Sequence, residues 1–138
     1  MALVDDLSSA LEPIVPDVLG VYLFGSHASG EGTPRSDVDL CLVGGKGADP
    51  KALLARTYRL NLSRFGRVDL HIFESMPLFL KAAVLQDGII VASRDEPALG
   101  EYLVVYRRMW ADQARRQELS HAELVDLLEA GTHATSPP

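Results

Sequence analysis

Two apolar runs, VLGVYLF over residues 18–24 and DVDLCLV over 37–43, are separated by only twelve residues. Both are rich in Val, Leu and aromatic side chains and bounded by glycine, which reads as β-strand. So short a connection makes the two runs antiparallel neighbours. The pairing has a consequence for chemistry. The first run ends in the turn Gly25–Ser26, and the second opens with Asp37 and Asp39, ten residues after that turn.

The rest of the chain alternates helical and extended patterns. Residues 3–11 suit a short amphipathic helix stopped by Pro13 and Pro16. Asp49–Pro50 is a helix start, with Asp as the cap and Pro in the first position. Leu53, Leu54, Tyr58 and Leu62 follow at helical spacing, and that helix is expected to end near Gly66. A third strand is expected over 68–73. A helix capped by Ser75 should then begin at Pro77 and end at Asp87–Gly88. A short fourth strand follows over 89–92. A longer helix is expected over 96–117. Ser120 and Glu123 have capping-box spacing, which predicts a separate last helix to Glu129. The order predicts one α/β domain (α+β mixed) over residues 1–130, with a small mixed sheet flanked by helices and a C-terminal helical segment from about 96. The long link from the second strand to the third suits a parallel crossover. Residues 131–138 are expected to form a disordered tail.

Composition narrows the setting. The 138 residues are 47% hydrophobic and 23% charged, ordinary for a globular domain. No apolar run approaches the roughly 18 residues a membrane span needs. The N-terminal stretch carries acidic residues where an export signal carries basic ones, so a cytoplasmic protein is expected. Cys41 is the single cysteine, which excludes an internal disulfide and a cysteine-rich zinc site. A net charge of −6 argues against broad binding to a nucleic-acid backbone. Arg107–Arg108 and Arg115–Arg116 cluster near the C-terminus, either as a solvated helix face or as a docking surface for an acidic or helical partner.

Alternation along the strands puts Asp37, Asp39 and Cys41 on one face of the second strand and Asp69, His71 and Phe73 on one face of the third. Aspartate is depleted in strands, and an uncompensated carboxylate in a half-buried position costs several kcal/mol. Clustered carboxylates repel and resist ionisation, and a divalent cation relieves both costs. Oxygen-rich sites favour Mg²⁺ or Mn²⁺, and two aspartates two residues apart can bridge a metal pair about 3.5–4 Å apart. Gly25 permits close approach of backbone to ligand. Ser26 can open a short helix whose free N–H groups point at an anion such as a triphosphate.

Gly25–Ser26, Asp37-x-Asp39 and Asp69 together resemble the motif of the minimal nucleotidyltransferases of the DNA polymerase β-like superfamily. The later stretch VDLHIFESMPLFLKAAVLQDGIIVASRD, followed by Tyr102 and Tyr106, resembles the antitoxin branch of that superfamily, which pairs with HEPN-domain toxins. The resemblance spans about residues 18–117. It implies a nucleotidyltransferase fold in which Gly25 and Ser26 hold the phosphates of ATP. Asp37 and Asp39 would bind two Mg²⁺ ions, and Asp69 would complete the second ion's site and help deprotonate the acceptor. It further implies AMP transfer to a tyrosine of a HEPN RNase toxin, so the expected partner is that toxin. Members often carry Gly-Ser-x-Ala-Arg-Gly. Here His27 stands where one arginine is frequent and Ser29 where the second is usual, and Arg35 is the cation expected to supply part of the missing charge.

Three alternatives stand beside that reading: a transferase for a small molecule such as an aminoglycoside, a weakly catalytic module that neutralises a toxin by binding it, and an RNA-directed transferase. Among other polar candidates, His71 is a partner of Asp69, a general base, or a partly buried, hydrogen-bonded structural histidine. His27 could touch phosphate or base. Cys41 reads as packing and not as a nucleophile, and Tyr102, Tyr106 and Trp110 read as core or partner interface.

Overall fold

The computed structural model describes residues 2–33 and 35–135. Strands β1 (Gly20–Phe24), β2 (Val38–Val43), β3 (Val68–Ile72) and β4 (Ile89–Ser93) form one sheet in the order β3-β2-β1-β4. β1 pairs antiparallel with β2 and with β4, while β2 and β3 run parallel, as the short and long connections predict. Helices α1 (Ala2–Leu11) and α3 (Pro50–Tyr58) pack on one face. There Leu7, Leu11 and Leu53 meet Val21, Leu23, Leu40 and Leu42. Helices α4 (Leu78–Asp87) and α5 (Glu96–Thr135) cover the other, where Val84, Leu99 and Leu103 meet Tyr22, Cys41 and Val43. Each fully buried leucine contributes about 1.5–3 kcal/mol, so β1 and β2 are fixed from both sides. Cys41 is buried against Met76, with sulfur atoms 3.5 Å apart, and burial pushes its thiol well up; it is a packing residue.

Several boundaries differ from expectation. Pro13 and Pro16 do end α1, but the chain continues as a 3₁₀ stretch over Glu12–Asp17, which tolerates both rings. The helix opened by Asp49, whose carboxylate accepts from the Lys51 and Ala52 N–H groups, stops at Tyr58 instead of near Gly66. Asn61 is the reason. Its side chain accepts from the Ser63 N–H and hydroxyl, offering the backbone a turn in place of helix, and a 3₁₀ turn over Ser63–Phe65 follows. Ser75 caps nothing: it ends a 3₁₀ turn, and Pro77 occupies the cap position of α4. The helix expected to stop at 117 runs unbroken to Thr135 through Ser120. No Gly or Pro lies between 101 and 130, and capping-box spacing without a breaker does not end a helix. The expected tail is therefore helical through Thr135, and residues 136–138 lie outside the described residues. Among the described residues no helix is long and apolar enough to cross a membrane.

Candidate active site

At one end of the sheet β1 finishes while β2 and β3 begin, so the connection from β1 to β2 and the link into β3 converge there. Phe24 pairs with Asp39, and Asp39 pairs with Asp69. Asp37 stands one residue before β2, and Gly25 one residue after β1. The residues of both halves of the motif thus meet through strand register alone.

Gly25 adopts φ 77°, ψ −151°, a combination essentially reserved for glycine. A Cβ there would lie 2.5 Å from Asp39 Oδ2. Glycine is needed twice at this position, for the backbone and for the room Asp39 occupies. The chain then enters the single-turn helix α2 (Ser26–Ser29), whose first N–H groups have no intrahelical acceptor. His27 donates from Nε2 to the Ser36 carbonyl at 3.1 Å, and the Ser29 hydroxyl donates to the Ser26 carbonyl. Both residues that replace the usual arginines are therefore engaged in holding the turn. Arg35 is exposed; its main-chain N–H donates to Thr33 Oγ1.

Burial raises the Asp39 carboxyl above its ordinary range, and the neighbouring Asp69 and Asp37 charges push it further in that direction, against the pull of His71 and His27. His71 Nε2 is 3.8 Å from Asp39 Oδ1, too long for a hydrogen bond, and its ring meets Phe24 edge-on. The cation that balances the cluster is Arg67. Its Nε donates to Asp69 Oδ1 at 3.3 Å and lies 3.7 Å from Asp37 Oδ2. At 74% side-chain exposure this guanidinium is held by no more than about 1 kcal/mol and can leave. Arg67 has the same strand parity as Asp69 and directly precedes the third strand, a signal in the sequence that could have found it.

An all-carboxylate donor set that is mutually repelled, with a guanidinium standing in as counter-ion, suits a hard divalent ion. Among the described residues, no three His, Cys, Asp or Glu side chains are closed tightly enough to hold an ion as they stand. A separate hollow of about 680 Å³, lined by Leu3, His27, Ser36, Val38 and Phe65, opens behind the 25–36 connection. Val38 and Leu3 belong to the opposite face of the sheet, and none of the three carboxylates lines it.

The pattern described as "Polymerase beta, Nucleotidyltransferase" matches residues 9–97, nearly two thirds of the chain and every residue of this cluster. The chain belongs to the polymerase β nucleotidyltransferase family. It is a nucleotidyltransferase. The "Putative protein adenylyltransferase MJ1547" of Methanocaldococcus jannaschii is 35% identical over 100 residues, 72% of this chain and 75% of that one. In fold, the chain is similar to a solved toxin–antitoxin with AMP-PNP, at TM-score 0.62 and 21% identity over 88% of this chain and 98% of that one. It is also similar to a chain in the structure of a tri-AMPylated Shewanella oneidensis HEPN toxin in complex with MNT antitoxin. There the TM-score is 0.58 at 20% identity, covering 89% and 98% of the two chains. These likenesses establish the nucleotidyltransferase fold over nearly the whole chain.

Proposed function

We propose that this nucleotidyltransferase is the antitoxin of a HEPN/MNT pair and a Mg²⁺-dependent protein adenylyltransferase. It moves AMP from ATP to a tyrosine hydroxyl of the HEPN RNase toxin and releases pyrophosphate. The observation that carries the reading is the convergence of Gly25, Asp39 and Asp69 at the open end of the sheet. A 35% identical relative named a protein adenylyltransferase supports AMP as the group moved. The fold shared with toxin–antitoxin complexes supports the partner.

In this reading Asp37, Asp39 and Asp69 hold two Mg²⁺ ions, which when bound neutralise the triphosphate and the departing pyrophosphate. Gly25 brings its main chain against the β- and γ-phosphates, and Ser26 donates to them from its hydroxyl and N–H. Arg67 gives up its place between Asp37 and Asp69 and, with Arg35, lends positive charge at the rim. Asp69 Oδ accepts the proton of the attacking tyrosine hydroxyl. The tyrosine oxygen bonds to the α-phosphorus as the bond from that phosphorus to the β-bridging oxygen breaks, and AMP remains on the tyrosine.

The engagement of His27 and Ser29 within the turn favours a second reading, in which transfer is slow and the toxin is silenced by binding. Intact-mass spectrometry of the HEPN partner, incubated with ATP, Mg²⁺ and either this chain or its Asp39→Asn variant, decides between them. A gain of one or more AMP units with the unmodified chain alone is expected. No gain alongside a stable complex establishes the second reading.

A further inference from the structure

Packing holds the strands of this site but not the connection between them. Leu23 and Val38 are buried, yet from Gly25 to Asp37 no described residue is. Asp37 precedes the β2 ladder and is itself exposed. Behind the connection lies the hollow of about 680 Å³ instead of core. An exposed aspartate on such a segment is placed by hydrogen bonds or not at all.

Those bonds converge on Ser36, the residue before Asp37. The Ser36 N–H donates to the Thr33 carbonyl at 2.9 Å. The Thr33 N–H donates to Ser36 Oγ at 2.9 Å, and the two hydroxyls lie 3.2 Å apart. All of these are local, closing residues 33–36 into a turn that moves as one body. The remaining polar atom of Ser36, its carbonyl oxygen, accepts from His27 Nε2 at 3.1 Å. Among the described residues this is the one hydrogen bond that joins the 33–36 turn to residues 25–31. Gly32 makes room for it: a Cβ there would lie 2.7 Å from His27 Nδ1 and 2.9 Å from His27 Cα. A side chain at that position would push the ring off the carbonyl.

We infer that His27 is a positioning residue, whose bond to the Ser36 carbonyl holds Asp37 in a fixed place relative to the Gly25–Ser26 turn. This rests on the reading above, in which Asp37 holds a cation and the turn receives the triphosphate, and it names what sets the two against each other. Strand register does that for Asp39, which pairs with Phe24 across the ladder. Asp37 lies beyond the last pair, and the histidine supplies the rung that the ladder lacks there. The same bond fixes what the ring does not do. Its Nε2 hydrogen is spent on a carbonyl and its Nδ1 lies against Gly32, so neither nitrogen is left for a phosphate.

The test compares the unmodified chain with His27→Ala and His27→Gln in three measurements: Mn²⁺ binding by calorimetry, ATP binding in EDTA, and the thermal midpoint. Loss of the bond in His27→Ala should raise the Mn²⁺ Kd about tenfold, the low end of what removing a ligand's support costs. ATP without metal should bind as it does to the unmodified chain. His27→Gln sets an amide N–H close to where Nε2 stands and should return the Mn²⁺ Kd to within about twofold of the unmodified chain's. A merely structural histidine behaves otherwise. Ala and Gln alike would then lower the midpoint and weaken both ligands, and that outcome overturns the inference. Weaker ATP binding with an unchanged Mn²⁺ Kd also overturns it, making the histidine a phosphate contact. Equal Mn²⁺ binding by all three proteins overturns it and leaves the metal reading standing. An unmodified chain that binds no Mn²⁺, with or without ATP, overturns the metal reading itself and this inference with it.

Discussion

The two ends of β2 each hold a carboxylate centre, and they are built on opposite terms. At the far end, Glu74 accepts from the Gly44 N–H at 2.9 Å, the Gly45 N–H at 3.2 Å and the Tyr102 hydroxyl at 2.7 Å. Phe73 and Tyr106 stack around that tyrosine, and Lys81 lies over both of their rings. At the near end, Asp39 has like charges for neighbours, a histidine too far away to bond, and the Cβ-less Gly25 against its oxygen. One carboxylate is finished by the protein, tying the end of β2 to α5. The other is left for something from outside to finish. A site that receives a cation and a triphosphate, as proposed above for this end, cannot satisfy its own ligands in advance, and the repelled Asp39 fits that role where the satisfied Glu74 does not.

That contrast is broken most directly by exchanging charge for shape at the two ends. Asp39→Asn should lower AMP transfer by on the order of 10³-fold, since it removes several kcal/mol of metal-mediated charge stabilisation. It also removes a repelled charge, so thermal unfolding of the metal-free chain should occur at the same temperature or higher. A melting temperature that falls sharply would mean that Asp39 is a structural carboxylate like Glu74.

Gly25→Ala comes next. The added methyl meets Asp39 Oδ2, and the backbone conformation resists any side chain, at about 1–3 kcal/mol. Transfer should fall on the order of 10²-fold because a shift of about 1 Å at Asp39 is enough for that. Chemical denaturation and the transfer rate, measured on the same sample, should both move. A rate loss without any stability loss would place the glycine's role in ligand approach alone.

Glu74→Ala should do the reverse of Asp39→Asn. It strands two main-chain donors and a tyrosine hydroxyl in a half-buried place, costing about 2 kcal/mol. For a chain this size the melting temperature should drop by roughly 5–10 °C. Transfer at 20 °C, below the transition, should change less than threefold. A larger loss of rate would show that the two ends are coupled through β2.

Much of the near end was legible in the chain, because strand parity and a short connection suffice to bring Gly25, Asp37, Asp39 and Asp69 to one edge. The antiparallel and parallel pairings follow from the same connection lengths. Arg67 obeys the same parity, but a lone arginine before a strand does not stand out among thirteen Lys and Arg residues. Glu74 was illegible. Its partners are two glycine N–H groups about thirty residues back and a tyrosine twenty-eight residues ahead, and no local spacing encodes them. The misplaced helix ends share that cause on a smaller scale. Asn61 turns the chain through its own side chain, whereas the spacing of Leu53, Leu54, Tyr58 and Leu62 speaks only for helix.

The smallest expected effect sharpens the comparison from the satisfied side. Tyr102→Phe keeps the ring packed on Phe73 and removes one hydroxyl from Glu74, leaving both glycine donors in place. The loss should be about 1 kcal/mol, read by urea denaturation at neutral pH. The alkaline behaviour adds a sign. Burial, with Tyr106 and the Glu74 carboxylate beside it, holds the Tyr102 hydroxyl far above its ordinary value, so the folded state binds that proton more tightly than the unfolded one. Its contribution is therefore complete below about pH 10 and is lost as pH rises from there. The buried Cys41 thiol acts in the same direction from about pH 8.5 upward. The unmodified chain should lose stability progressively above pH 9, and Tyr102→Phe should lose less across pH 10–11, narrowing its deficit. Parallel curves for the two proteins would mean that the Tyr102 proton is not held by Glu74, and that this end of β2 is less completely satisfied than its hydrogen bonds imply.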